Sequence, residues 1–468
     1  MPEPDASRRS FLSLLVNTFI AQLTTNFLWS AVTFWLYLQT RSILVTAFLG
    51  GSFMLLIAVM GVPFGSWVDR TRKKRVMVAA QGVTAVLFAA AFAFYLATPS
   101  DALLTVGSPA MIVFLALLLG GVVLESARGI ALATCVTILV PPDGRAQANG
   151  LVGMVAGLSF ATTSVFAGLA VGQLGMTWTL AIAVALTAVS LLHLWTVRIP
   201  EPEIVHADGV PKAVDFAGAW RAVRNVPGLV WLLVFTTLNN AVSGVHLALL
   251  DPYGLTLVSV EVWGILWGVL SFGFLLGSAW VSRFGLGSRP LRSLLLANVA
   301  MWAVGTVFTI RESIWLLAGG IVIYMALIPL VEAAEQTVLQ RVVPLPSQGR
   351  VFGLAQSVEL GAVPITSFLI GPVAEFWLIP SMATPGGQAA WGWLLGEGEA
   401  RGIALAFVLA GLAGLAFTLA ALASRPYRTL SRAYAAAAGA DSAPHPAGAQ
   451  PAPEPPSEPE LGRPAVTD

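Results

Sequence analysis

Residues 65–75 read Gly65-Ser66-Trp67-Val68-Asp69-Arg70-Thr71-Arg72-Lys73-Lys74-Arg75. Five of the six residues from 70 to 75 are basic. Apolar runs flank the segment, 43–67 before it and 75–97 after it. Each exceeds the ~20 residues that a helix needs to cross the hydrocarbon of a bilayer. Gly65, near the end of the first run, permits close approach of another helix. Asp69 sits at the end of that span, where its carboxylate can face the positive N-terminal end of another helix. The basic cluster suits anionic headgroups and marks its loop as cytoplasmic.

The same pattern extends over the whole chain. Of its 468 residues 57% are hydrophobic and 10% charged, with mean hydropathy +0.81. A water-soluble domain carries about 25% charged residues. Twelve runs meet or approach spanning length: 11–38, 43–67, 75–97, 109–140, 149–172, 177–197, 227–250, 259–282, 291–310, 314–343, 351–377 and 402–423. With the N-terminus inside, Arg8, Arg9, the 70–75 cluster, Arg145, Arg198, Lys212, Arg221, Arg224, Arg283, Arg289, Arg292, Arg341, Arg350 and the tail arginines all fall on the inner side. The outer loops hold only Arg41, Arg311 and Arg401. This bias predicts an all-α, multi-pass protein of the cytoplasmic membrane with both termini cytoplasmic. The segment 1–10 with its following helix lacks a cleavage signal and reads as a retained first span.

Net charge is +1, which gives no footprint for nucleic acid. Cys135 is the single cysteine and the four histidines lack ligand spacing, so neither a disulfide nor a metal site is expected. No phosphate-binding loop appears, and no cofactor is expected. The expected partners are a small-molecule substrate and membrane lipid, for a monomeric chain.

Two halves are legible. Trp67-Val68 and Arg70 recur as Trp280-Val281 and Arg283; Thr24 and Asn26 recur as Thr237 and Asn239. Glu125 recurs as Glu332, and Gly144-Arg145 as Gly349-Arg350. The domains expected are a six-helix bundle at 1–197, a linker at 198–226 with an amphipathic helix, a second six-helix bundle at 227–423, and a disordered Pro/Ala-rich cytoplasmic tail at 424–468. In the linker, Phe216, Trp220 and Val223 share one helical face.

The loop Gly65-x-x-x-Asp69-Arg70-x-Arg72-Lys73-Lys74, between the second and third of twelve spans, resembles the signature of the major facilitator superfamily. Arg72 stands where that family usually has glycine, and the copy in the second half has Ser282 in place of the aspartate. The phrases Phe34-Trp35-Leu36-Tyr37-Leu38 and Gly349-Arg350-Val351-Phe352-Gly353-Leu354 are similar to the macrolide-efflux and siderophore-export branch. The resemblance implies the major facilitator fold, two pseudo-symmetric six-helix bundles. It also implies a latch in which Gly65, Asp69, Arg70 and Lys73 hold the inner side closed against the helix that begins near Val351.

Charged side chains inside spans are costly and functional by default. Glu125 and Arg128 are three residues apart on span four and can pair; Glu332 and Glu335 share a face of span ten; Glu359 lies in span eleven. Spans one and seven carry Asn26 and Asn240. In the resembled family spans one, four, seven and ten surround the central cavity, which makes Asn26, Glu125, Arg128, Asn240, Glu332, Glu335 and Glu359 the candidate substrate and proton pathway. Arg128 resembles the family's span-four arginine linked to proton transfer. The family's antiporter glycine-proline pattern is absent: span five offers Gly153, Gly157, Gly168 and Gly172 without proline.

These features point to a secondary transporter, a proton-driven exporter of an apolar or amphipathic compound working by alternating access. An importer or uniporter of the same fold is the alternative. An intramembrane enzyme lacks a nucleophile–base pair, and a scaffold acting through the Pro-rich tail is a further reading.

Overall fold

A computed structural model describes residues 4–40, 43–201, 214–398 and 400–442. The linker residues 202–213, Arg41 and the tail from 443 lie outside the described residues. Among the described residues the chain is helical throughout, without strands. Eleven stretches are long and apolar enough to cross a membrane. One of them, Pro142–Thr196, is 55 residues long and consists of two helices, so the spans number twelve. The two part at Gly175, whose φ of 78° is open to glycine at little steric cost.

The spanning helices are α1 (Pro4–Thr40), α2 (Ile43–Arg70), α3 (Lys73–Ala97), α4 (Pro109–Leu139), α5 (Arg145–Leu169) and α6 (Gly175–Thr196), then α7 (Leu229–Leu257), α8 (Val260–Leu270 and Phe272–Phe284), α9 (Pro290–Val307), α10 (Ile314–Val342), α11 (Gln348–Val373) and α12 (Ala400–Ala423). They form two six-helix bundles. Their outward surfaces are apolar: Ile265 is 70% exposed, Phe376 77% and Trp315 82%. Such a belt fits lipid as solvent and would be untenable in water.

Two pairs of helices join the halves, α2 with α11 and α5 with α8, a pseudo-twofold arrangement. Glycines make both crossings possible. A Cβ on Gly65 would lie 2.2 Å from the Gly349 carbonyl oxygen, and one on Gly353 2.1 Å from that of Gly61. On the other side a Cβ on Gly150 would lie 2.4 Å from the Ser282 nitrogen.

The cores differ between the two ends of the molecule. At the end rich in Arg and Lys, here the basic end, one continuous core runs through both halves, from Leu14, Val68 and Leu139 to Leu232, Val338 and Val351. At the opposite end each half has its own core: Trp35, Phe88 and Phe114 in the first, Tyr253, Phe308 and Phe407 in the second. Between them lies an apolar cleft of about 1020 Å³, walled by α2, α4 and α11. The halves are therefore fused at the basic end and parted at the other.

Two short amphipathic helices lie outside the bundles. The linker helix Phe216–Asn225 buries Ala219 and Val223, while Phe216 and Trp220 stay exposed. The disorder expected for 424–468 is corrected over its first part: Arg425–Ser442 is a helix. Its alanines favour a helix, and Leu430 is fully buried against Gly228, where a Cβ would lie 2.9 Å from that of Leu430.

Candidate transport site and its gate

At the basic end the N-terminus of α11 meets the end of α2. Asp69 is fully buried. Its Oδ1 accepts the Gly349 N–H at 2.7 Å and its Oδ2 the Arg350 N–H at 3.1 Å. These are among the N–H groups that a helix start leaves without partners, and a carboxylate there also gains from the helix dipole. The Arg350 guanidinium bridges onward. Its Nε lies 3.5 Å from Asp69 Oδ2, and its Nη1 pairs with Asp215 Oδ2 at 2.8 Å. Asp215 also caps the linker helix by accepting the Gly218 N–H at 2.9 Å, and its own N–H donates to Ser66 Oγ at 3.1 Å.

Of the four residues expected in the latch, Gly65 and Asp69 touch α11 directly. Arg70 is exposed. Lys73 is buried at the start of α3, where its N–H and that of Lys74 donate to the two Glu201 carboxylate oxygens at 2.6 and 2.7 Å. Arg350, Asp215 and Glu201 escaped sequence reasoning. Arg350 had one signal, its recurrence with Arg145 in the two halves. Arg145 takes the matching position, where its Nη1 donates to the Gln340 carbonyl at 2.9 Å. Beside it Asn149 donates to Thr337 Oγ1 and Gln340 Oε1, each at 3.0 Å, a second tie between the halves.

The expected pathway residues fall into two groups. In the first bundle Arg128 is 2% exposed. Its Nη1 donates to Gln81 Oε1 at 2.7 Å and Glu125 Oε2 at 3.1 Å, and its Nη2 to Asn17 Oδ1 at 2.9 Å. Asn17 in turn donates to the Ser190 carbonyl at 2.7 Å. One guanidinium thus ties α4 to α1 and α3, and through Asn17 to α6. Asn26 is half-buried on α1 and belongs neither to this cluster nor to the second group.

In the second bundle α7, α8, α9, α10 and α11 enclose a cavity of about 410 Å³. Glu332, Glu335, Glu359 and Asn240 all line it. Thr236 Oγ1 donates to Glu359 Oε1 at 2.7 Å, and Asn240 Nδ2 to the Thr236 carbonyl at 3.0 Å. Glu335 Oε1 is buried with no N–H or O–H against it. Glu359 lies on the wall of the same cavity. The cavity extends toward the opposite end to Asp251, whose Oδ1 accepts the Trp263 and Trp267 indole N–H groups at 2.9 and 2.8 Å. His246 forms part of its wall, stacked between Phe308 and Tyr324 at 5.7 and 5.3 Å between ring centres. Sequence reasoning did not single out Asp251. Four carboxylates and no Lys or Arg line this space.

The chain matches the family model of the Major Facilitator Superfamily over residues 14–367. It belongs to the major facilitator superfamily. The chain is therefore a multi-pass membrane transporter and not an enzyme. Solved structures share the fold at low sequence identity. A bacterial homologue of the iron transporter ferroportin, in an outward-facing state, superposes with a TM-score of 0.64 at 16% identity, covering 89% of this chain and 100% of that one. The human organic anion transporter TETRAN gives 0.62 at 15%, covering 92% and 100%. The proton:xylose symporter XylE, bound to a bromodeoxyglucose, gives 0.60 at 14%, covering 88% and 96%. No functionally curated protein matches the sequence.

Proposed function

We propose that this superfamily member is a proton-driven exporter of a cationic, amphipathic small molecule, working as a single chain with its basic end in the cytoplasm. The observation that carries the reading is the cavity in the second bundle, with Glu332, Glu335, Glu359 and Asp251 on its wall and no Lys or Arg among its lining residues. A carboxylate pair that can hold one proton can exchange it for one monovalent cation without changing the charge of the site. The aromatic rings of Tyr324, Phe308 and Trp267 supply faces for an apolar body. α11 links the cavity, through Glu359 and Leu360, to the apolar cleft, through Gly361, Pro364 and Ile365.

Among the described residues no three His, Cys, Asp or Glu side chains are placed to hold a metal ion, which favours an organic cation over a metal. The pair Glu335–Glu359 is proposed as the proton carrier, with Thr236 and Asn240 orienting it. The Asp69 contacts serve as the cytoplasmic latch. Glu125 and Arg128 act as a brace within the first bundle. The arginine and lysine bias of the loops supports placing the basic end inside.

Tetraphenylphosphonium is a suitable probe. In proteoliposomes an interior-acid pH gradient is expected to drive its uptake beyond that of protein-free liposomes, since protons leave as the cation enters. Uptake favoured by exterior acid would indicate a symporting importer. Uptake indifferent to the gradient would indicate a uniporter. Either of these would reject the exporter reading.

A further inference from the structure

The helix Arg425–Ser442 creates a pocket of about 480 Å³ against the start of α9. Four arginines line it, Arg289 and Arg292 from α9 and its approach, Arg428 and Arg432 from the tail helix. No Asp or Glu lines it. All four are exposed, and none has an ion-pair partner among the described residues. The other arginines nearby are engaged: Arg341 stacks over Tyr434 at 5.2 Å and lies 3.8 Å from Asp143. Four like charges gathered without a counter-charge repel one another, unless an anion joins them.

We propose that this pocket binds the phosphate of an anionic phospholipid headgroup. Arginine presents a planar fork of N–H donors that matches phosphate oxygens. Two fixed features assist. Tyr427 and Ser431 stand on the same wall and can donate hydroxyl hydrogen bonds. α9 begins at Pro290 on the rim, so its positive dipole end faces the pocket. Lipid is the favoured source because the neighbouring end of α8 is built for the membrane interface: Trp280 and Phe284 are 57% and 62% exposed, with Arg283 lying over Phe284 at 5.7 Å. Basic pockets at the cytoplasmic level of membrane helices are suited to such headgroups. The tail helix touches α7 through Leu430 and Tyr427, and α10 through Tyr434. A lipid seated here would tie these helices of the second bundle together at the basic end.

The test uses the purified full-length protein, delipidated and offered phosphatidylglycerol or phosphatidylcholine, with bound lipid counted by native mass spectrometry. Preferential retention of phosphatidylglycerol is expected, weakened about tenfold or more by the double change Arg428→Gln with Arg432→Gln. Changing Arg428 and Arg432 to Lys is expected to keep part of the preference. Changing Arg221 and Arg224 of the linker helix to Gln, as a control on net charge, is expected to leave it intact. Equal retention of the two lipids, or equal loss in the linker control, would overturn the proposal. Displacement of phosphatidylglycerol by millimolar inorganic phosphate would assign the pocket to a soluble phosphate and overturn the lipid assignment. Deleting residues 443–468 addresses a third source, the acidic residues Glu454, Glu458, Glu460 and Asp468 of the same chain. If lipid preference arises only after that deletion, the chain's own carboxylates are the occupant and the proposal fails.

Discussion

Asp69 is the residue on which the proposed closure of the basic end most depends. It has no exposure to water, accepts two backbone N–H groups, and has the Arg350 guanidinium beside it as an ion-pair partner at 3.5 Å. Hydrogen bonds to a charged acceptor are each worth about 1.5–3 kcal/mol. Asp69→Asn keeps the shape, removes the charge and turns one acceptor into a donor that meets an N–H. The fused state is expected to weaken by about 2 kcal/mol, roughly thirtyfold in the ratio of closed to open. Site-directed spin labels on the exposed positions Arg72 and Pro346 would show this as a new population at longer distance. An unchanged distance distribution would remove Asp69 from the latch. Gly65→Val acts by a different route. Its side chain would collide with the Gly349 carbonyl and the Arg350 Cα, so α2 and α11 cannot cross at their present separation. Loss of transport with folding and membrane insertion preserved is the expected outcome, read as tetraphenylphosphonium uptake beside a normal melting profile.

At the scale of single elements, legibility followed hydrophobicity. The twelve spans and the α2–α3 loop stood out because spanning a bilayer demands long apolar runs and the basic bias of loops marks their side. The contact of Asp69 with the start of α11 was implied by the resemblance of its loop to the family signature, and it makes physical sense because a buried carboxylate needs donors and a helix N-terminus supplies them. The tail helix was missed for the opposite reason. Arg425–Ser442 is too short and too polar to register as a span, and its alanines resemble those of the proline-rich stretch that follows. What holds it is a tertiary contact, Leu430 against Gly228. Replacing Leu430 by Gln is expected to destabilise this helix by about 2 kcal/mol or more, the price of burying a polar group in place of an apolar one. Faster hydrogen exchange over 425–442, with α12 unchanged, would verify it; unaltered exchange would refute it. Arg401 shows the same limit. Charge placed it in a loop, yet it is fully buried at the start of α12, bound to Glu312, the Tyr253 hydroxyl and the Thr309 carbonyl. Only the fold could bring those partners to it.

For the whole molecule, the division of the core is the main feature. A single core joins the halves at the basic end, and separate cores leave a cleft at the other. Sequence repeats hinted at two halves, but they could not say which end was closed. Nor could they separate the two polar groups. Glu125 and Arg128 lie at the same depth as Glu332 and Glu335 by sequence equivalence, yet the first pair is locked into its own bundle while the second opens on a cavity. The difference rests on Gln81 and Asn17, two neutral side chains on other helices whose convergence on Arg128 no local pattern announces.

The proposed alternating access through the second-bundle cavity, with Asp69 as its latch, can be examined with one reactive thiol. Cys135 is the single native cysteine and is buried, so Cys135→Ser provides a background in which Asn240→Cys reports on the cavity wall. A membrane-impermeant thiol reagent is applied to each face in turn, using right-side-out and inverted vesicles. The expected result is labelling from the end opposite the basic loops alone, with labelling from the basic end appearing once Asp69→Asn is added. Labelling from the basic end while Asp69 is intact, or no labelling from either face, would contradict the gated cavity.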